Sequence, residues 1–221
     1  MSPRRAGSAV DRSRRRRTTT DADAGGRAQI IDAAIASILE VGFYRSSTNE
    51  IARRANVSWG ALQYHFGTRE ALWVAVMKEL DRRFVEGIEH AEIEGDTTEE
   101  RVASLYEVLA RHYDSPTFLV RLQIVLNFQH DPDTSAEVTQ ELSDQASLAQ
   151  KPLMRLLRDT IGRKTTRSET EALFHAIRGF AFSQQFARAI PIEGSRSPTQ
   201  ESLNIFLTGL VTGQAALLDE G

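Results

Sequence analysis

"STNEIARRANVSWGALQYHFGT", residues 47–68, decides how the rest of the chain is read. Ser47 stands three residues before Glu50, the spacing of a reciprocal N-terminal cap, with serine bonding forward and the carboxylate reaching back. A short helix follows and buries Ile51, Ala52 and Ala55. Asn56 ends it, because asparagine, after glycine, most readily takes the left-handed conformation of a tight turn. Ser58 caps again at once, and a helix of about eight residues runs to Phe66. Leu62 and Phe66 lie one turn apart and face inward with Val57, which leaves Trp59, Gly60, Ala61, Gln63, Tyr64 and His65 outside. Two short helices joined by such a turn and braced by a preceding helix make a helix-turn-helix unit. Its second helix, roughly 12 Å long at about 1.5 Å per residue, matches the width of a DNA major groove.

The outward residues suit that groove. Ser58 and the free amides of the helix N-terminus offer donors to phosphate, and Ser47 and Thr48 do so one helix earlier. Gly60 and Ala61 let the backbone approach, and an alanine methyl fits against a thymine methyl. Gln63 has the geometry to bond adenine with two hydrogen bonds. Tyr64 and His65 are expected to hold phosphates, which fix register but carry no sequence.

Charge is distributed to match. The 221 residues have a net charge of −3, yet residues 1–70 hold 12 Arg against 7 Asp and Glu, while residues 71–221 hold 15 Lys and Arg against 23. A basic front on an acidic body points only the front at a polyanion. Residues 1–26 lack apolar periodicity and are expected to be a disordered arm, in which Arg14, Arg15, Arg16 and Arg17 would track DNA. There is no cysteine, no apolar run of roughly 18 residues and no signal-peptide core. Those absences predict a cytoplasmic protein with no membrane partner and no disulfide.

The remainder reads as helix throughout. Ile30, Ile31, Ala34, Ile35, Ile38 and Leu39 recur at helical spacing until Gly42. Thr68 caps a long helix to about Glu94. Others are predicted over 98–113, from Ser115-Pro116 to the "DPD" at 131–133, over about 134–162 with Pro152 inside, over 168–189 and over 199–219. The fold class is therefore all-α: an N-terminal three-helix domain over 27–71 and a larger helical domain over 72–221, about nine helices in total.

"STNEIARRANVSWGALQYHFGTREALWVAV", residues 47–76, resembles the DNA-binding signature of the TetR family of bacterial transcriptional regulators, and the likeness in spacing extends over residues 27–77. The resemblance implies three DNA-binding helices, the third reading the major groove, with six or so further helices for ligand binding and dimerisation. Arg69 matches a basic position at which such proteins contact phosphate. The chain departs from the pattern at Trp59 and Gly67, where lysine is common, at Asn56 in place of the turn glycine, and at Gln63 in place of an aromatic residue.

Two expectations concern the body. The last two helices are apolar on several faces, through Phe174, Ile177, Phe182, Phe206 and Leu210 among others, so each must be covered on more than one side. The family implies that a second copy does this, giving a homodimer and a palindromic double-stranded DNA operator. Polar groups set in apolar helices, His112, Arg121, Asn127, His175 and Arg178, are the candidates for holding a small apolar or amphipathic effector, where a buried Arg or His could pair with its carboxylate or phosphate. The five histidines show no i,i+4 pairing and no phosphate loop or nucleophile elbow occurs, so neither metal, cofactor nor catalytic residue is expected. The reading is a ligand-responsive repressor and not an enzyme; the rival is an all-α enzyme or interaction module with a vestigial helix-turn-helix.

Overall fold

The computed structural model describes residues 9–131, 134–161, 166–189 and 200–212, with side chains over 23–131, 134–161, 166–187 and 202–212. Among the described residues there are nine α-helices and no strand: α1 Ala9–Val41, α2 Thr48–Arg54, α3 Trp59–Phe66, α4 Arg69–Glu89, α5 Thr98–Tyr113, α6 Pro116–His130, α7 Ala136–Ile161, α8 Arg167–Ala189 and α9 Gln200–Thr212. A single 3₁₀ turn at Phe43–Arg45 joins α1 to α2. Most ends fall where capping chemistry places them. Ser58 accepts from the Ala61 amide at 3.1 Å, Thr68 from Ala71 at 3.0 Å and Ser115 from Phe118 at 3.3 Å, with Pro116 in the first turn. Asn56 takes φ 50°, the left-handed value expected of the interhelical turn.

Three local expectations change. The helix predicted from Arg27 begins at Ala9, so residues 9–26 of the segment expected to be disordered continue α1, while residues 1–8 lie outside the described residues; residues 9–24 contain neither proline nor glycine, and extending an existing helix costs far less than starting one. The side chains of Arg14 to Arg17 lie outside the described residues. The reciprocal cap on α2 is half made: Ser47 accepts from the Glu50 amide at 3.2 Å, but the Glu50 carboxylate turns to Arg53 at 2.7 Å and Arg54 at 2.6 Å. Two charge-assisted contacts outcompete one backbone amide and hold Glu50 down to about 2. Finally, α4 ends at Glu89, before the Glu94 expected of it.

Two apolar cores are stacked along the molecule. The first joins α1, α2, α3 and the start of α4 around Ile30, Ile38, Ile51, Leu62 and Trp73, and also takes in Val120 and Ile124 of α6. The second lies among α5, α7, α8 and α9 around Leu105, Leu109, Leu157, Leu173 and Leu207, and Ile88 reaches it from the far end of α4. Helix α4 packs along α7 and spans both. A side-chain bond joins the same two parts: the Phe43 amide donates to Gln123 Oε1 on α6 at 3.1 Å.

Candidate nucleic-acid interface and body cavity

Helix α3 is held by Leu62 and Phe66, both buried, and by half-buried Val57. Its opposite side carries Trp59 at 54% exposure and Tyr64 at 78%, with Gly60 and Gln63 also exposed. Residues 59 and 63, like 60 and 64, are one turn apart, so these four form a single stripe along the helix. Ser58 is exposed at its N-terminus, Ala61 is half-buried, and Ser47 and Thr48 open α2 as exposed and half-buried groups. Gln63 Nε2 donates back to the Gly67 carbonyl, closing the helix end.

His65 departs from the outward position expected of it. Its side chain is 12% exposed, with Nδ1 at 3.6 Å from Asp23 Oδ1 of α1. A Cβ on Gly26 would sit 3.2 Å from His65 Nε2, so glycine allows α1 to pass directly over the ring. His65 thus braces α3 against α1. Arg69 is exposed, but its guanidinium lies 5.0 Å from the Phe43 ring centroid and 5.8 Å from that of Trp73. That stacking fixes where its charge stands beside α3. Sequence reasoning missed Tyr44, 87% exposed in the turn before α2.

In the body, Arg121 of α6 donates to Asp81 of α4, and both face a cavity of about 180 Å³. Phe84, His112, Tyr113, Phe118, Phe174 and Arg178 complete most of its wall. Asp81 is buried and its Oδ2 has no hydrogen-bond partner. Sequence reasoning missed it, although a carboxylate next to Leu80 and one turn beyond Met77 interrupts the apolar side of α4. Burial among the rings of Phe84 (4.3 Å), Tyr113 (5.3 Å) and Phe118 (5.6 Å) pushes His112 down to about 4.

His112 therefore makes stability depend on pH. Between its ordinary value near 6.5 and about 4 the unfolded chain binds a proton that the folded chain refuses, so stability falls as pH falls through that window. We expect a contribution of about 1–2 kcal/mol lost between pH 7 and pH 5. Urea unfolding of His112→Phe should lack that part of the slope, and an unchanged slope would refute the assignment.

The other expected ligand positions separate. His112, Arg121 and Arg178 meet at the cavity; Asn127 and His175 do not line it. Asn127 Nδ2 donates to the Gln123 carbonyl at 2.7 Å, the local bond an amide makes one turn on. His175 is exposed, with Nδ1 3.0 Å from Arg178. The expected interface also divides. Phe174 and Ile177 are buried in the chain's own second core, since α8 turns the stripe of Leu173, Phe174, Ile177 and Ala181 toward its neighbours. Phe182 is half-buried, its ring 5.2 Å from that of Phe118. Phe206 at 45% exposure keeps an outward position and Leu210 is half-buried. Phe186 of α8 and Ile205 of α9 are each 62% exposed.

No cluster of three potential metal ligands occurs among the described residues, and none of their helices is long and apolar enough to cross a membrane. A three-helix head with an exposed stripe on α3, carried on a cavity-bearing helical body, defines a helix-turn-helix protein with a second candidate site. The family model for bacterial regulatory proteins of the tetR family matches residues 30–76. Over that segment the chain is similar to the DNA-binding domain of the tetR family. It is 33% identical over 85 residues to the fatty acid metabolism regulator protein of Bacillus subtilis, covering 38% of this chain and 42% of that protein. It is 29% identical over 138 residues to the transcriptional regulator BetI of Serratia proteamaculans, covering 62% of each. The chain thus spans less than two thirds of the length of these curated relatives. A crystal structure of the multidrug binding protein EbrR complexed with imidazole shares the fold, with a TM-score of 0.60 and 22% identity over 83% of this chain and 93% of that one.

Proposed function

We propose that the chain is a cytoplasmic, homodimeric transcriptional repressor that binds a near-palindromic operator through α3 and is released by a small apolar or amphipathic effector held in the body. Residues 27–71 would bind DNA, and residues 72–221 would sense and dimerise. The observation that carries this reading is the place of α4. It leaves the recognition helix after a two-residue turn and then forms one wall of the cavity through Leu80, Asp81 and Phe84. An effector that moves α4 changes the separation of two recognition helices, which must fit half-sites one DNA turn or a multiple apart. Coupling of about 1–3 kcal/mol, or roughly 5–150-fold in operator affinity, is enough for a switch.

The names of the relatives agree with this reading: one is a regulator of fatty acid metabolism, another a multidrug binding protein. The exposed apolar side chains Phe186 on α8 and Ile205 and Phe206 on α9 support dimerisation through these helices. Selection of bound fragments from a random duplex library, at low and near-physiological salt, tests the core of the proposal. We expect a palindromic motif at both salts. Recovery of no motif at either salt would overturn it.

A further inference from the structure

We propose that the cavity takes an amphipathic anion, its head held by Arg121 and Arg178 and its aliphatic tail lying in the groove between α6 and α7. This deepens the sensor reading above and rests on it.

The charges in the wall decide the sign of the head. Asp81 and Arg121 cancel as a pair. Arg178 has no carboxylate within ion-pair reach among the described residues; its contacts are the Phe174 ring, with the centroid at 4.7 Å, and His175 Nδ1 at 3.0 Å. His112 stays neutral at pH 7 because burial depresses its protonation. One positive charge is therefore uncompensated beside the rings of Phe84, Tyr113, Phe118 and Phe174, and a charge so placed favours an opposite one. Its field already reaches the wall, where Arg178 opposes the rise that burial imposes on the Tyr113 hydroxyl.

Hydrogen-bonding capacity points the same way. A guanidinium carries five N–H donors, and Arg121 spends one nitrogen on Asp81. Donors thus exceed acceptors, and a planar oxyanion is the group that two such forks bind best. Asp81 Oδ2, buried with no hydrogen-bond partner, is left for a water or a hydroxyl near the head. An ammonium would have to enter beside two guanidiniums, and a neutral head would leave Arg178 unpaired.

The tail follows from what adjoins the head. Arg121, Arg178, Phe118 and Ala146 line both the small cavity and a neighbouring groove of about 480 Å³. Beyond the arginines that groove is apolar, through Met77, Leu122, Val125, Phe128, Leu142 and Phe182. Cations at a junction with an apolar channel beyond them match a charged head on a hydrocarbon chain. An anion on Arg121 also competes with Asp81, so binding draws α6 away from α4.

Calorimetry on the full chain without DNA, using decanoate, decan-1-ol and decyltrimethylammonium, separates the three head classes. Decanoate should bind about tenfold or more tightly than the alcohol, with no binding of the ammonium. Arg178→Gln should bring decanoate down to the level of the alcohol, and Arg178→Lys should recover part of the difference. Absence of decanoate binding, equal or tighter binding of either other probe, or an Arg178→Gln protein that keeps the preference would each overturn the proposal. If Arg178→Gln fails to fold, the ranking of the three probes on the natural chain still decides. Decanoate binding without operator release would sink the sensor reading alone. Release by the ammonium and not by decanoate would sink this inference alone.

Discussion

Replacing Gln63 and Tyr64 together by alanine should abolish selective operator binding while leaving the fold intact. Both side chains are exposed and neither enters the first core, so the substitution creates no cavity. Gln63 gives up only its bond to the Gly67 carbonyl, which water replaces, and alanine is the better helix former. On DNA the balance is different. A bidentate contact to a base discriminates by about 1–3 kcal/mol, and in a symmetric dimer the loss is suffered at both half-sites. The selected operator should be bound at least about 100-fold more weakly, with the urea midpoint nearly unchanged. A double variant that retained its selectivity would remove α3 as the reading element. His65→Ala is the instructive contrast. Because that ring is packed beneath α1, its loss should lower stability and shift affinity across all sequences alike.

Trp73→Ala is expected to be the most damaging single change to the fold. The ring is 1% exposed, its centroid is 5.1 Å from that of Phe43, and Arg69 stacks on its outer side. Truncating a buried tryptophan costs about 3–5 kcal/mol, a large share of the roughly 5–15 kcal/mol that holds a domain of this kind together. Trp73→Phe should cost distinctly less. The indole Nε1 is buried with no partner, so removing it discards an unsatisfied donor along with part of the ring. Urea unfolding of the two variants measures the difference; equal losses would mean that the indole N–H is satisfied in solution.

The helix-turn-helix was legible because its determinants are local. Ser58, Asn56 and Thr68 act on amides and dihedral angles within three residues, and Leu62 and Phe66 declare their side by one helical turn. His65 was not, since what turns it inward is Gly26, thirty-nine positions earlier, leaving room for α1 to cross. The start of α1 escaped for a related reason. Periodicity reports the part of a helix that packs, and residues 9–24 continue the backbone without an apolar stripe. In the body, Arg121 and Arg178 stood out as cations in apolar helices, but Asp81 gains its meaning only from α6, forty residues on. Phe174 and Ile177 showed that α8 is buried on more than one side. Which side belongs to the chain's own core depends on how α8 rotates against α5 and α7, and a single helix does not encode that.

The bond from the Phe43 amide to Gln123 bears on how such proteins diverge. The three-helix head looks like a transplantable cassette, yet it rests on Gln123, Val120 and Ile124, which the chain supplies almost eighty residues later from the middle of α6. A graft of the first 71 residues onto a foreign body would carry the reading helix and leave its footing behind. New operator preferences are therefore most easily acquired by substitution on the outer side of α3, and exchange of whole heads should succeed only between partners whose α6 offers the same amide and the same two apolar side chains.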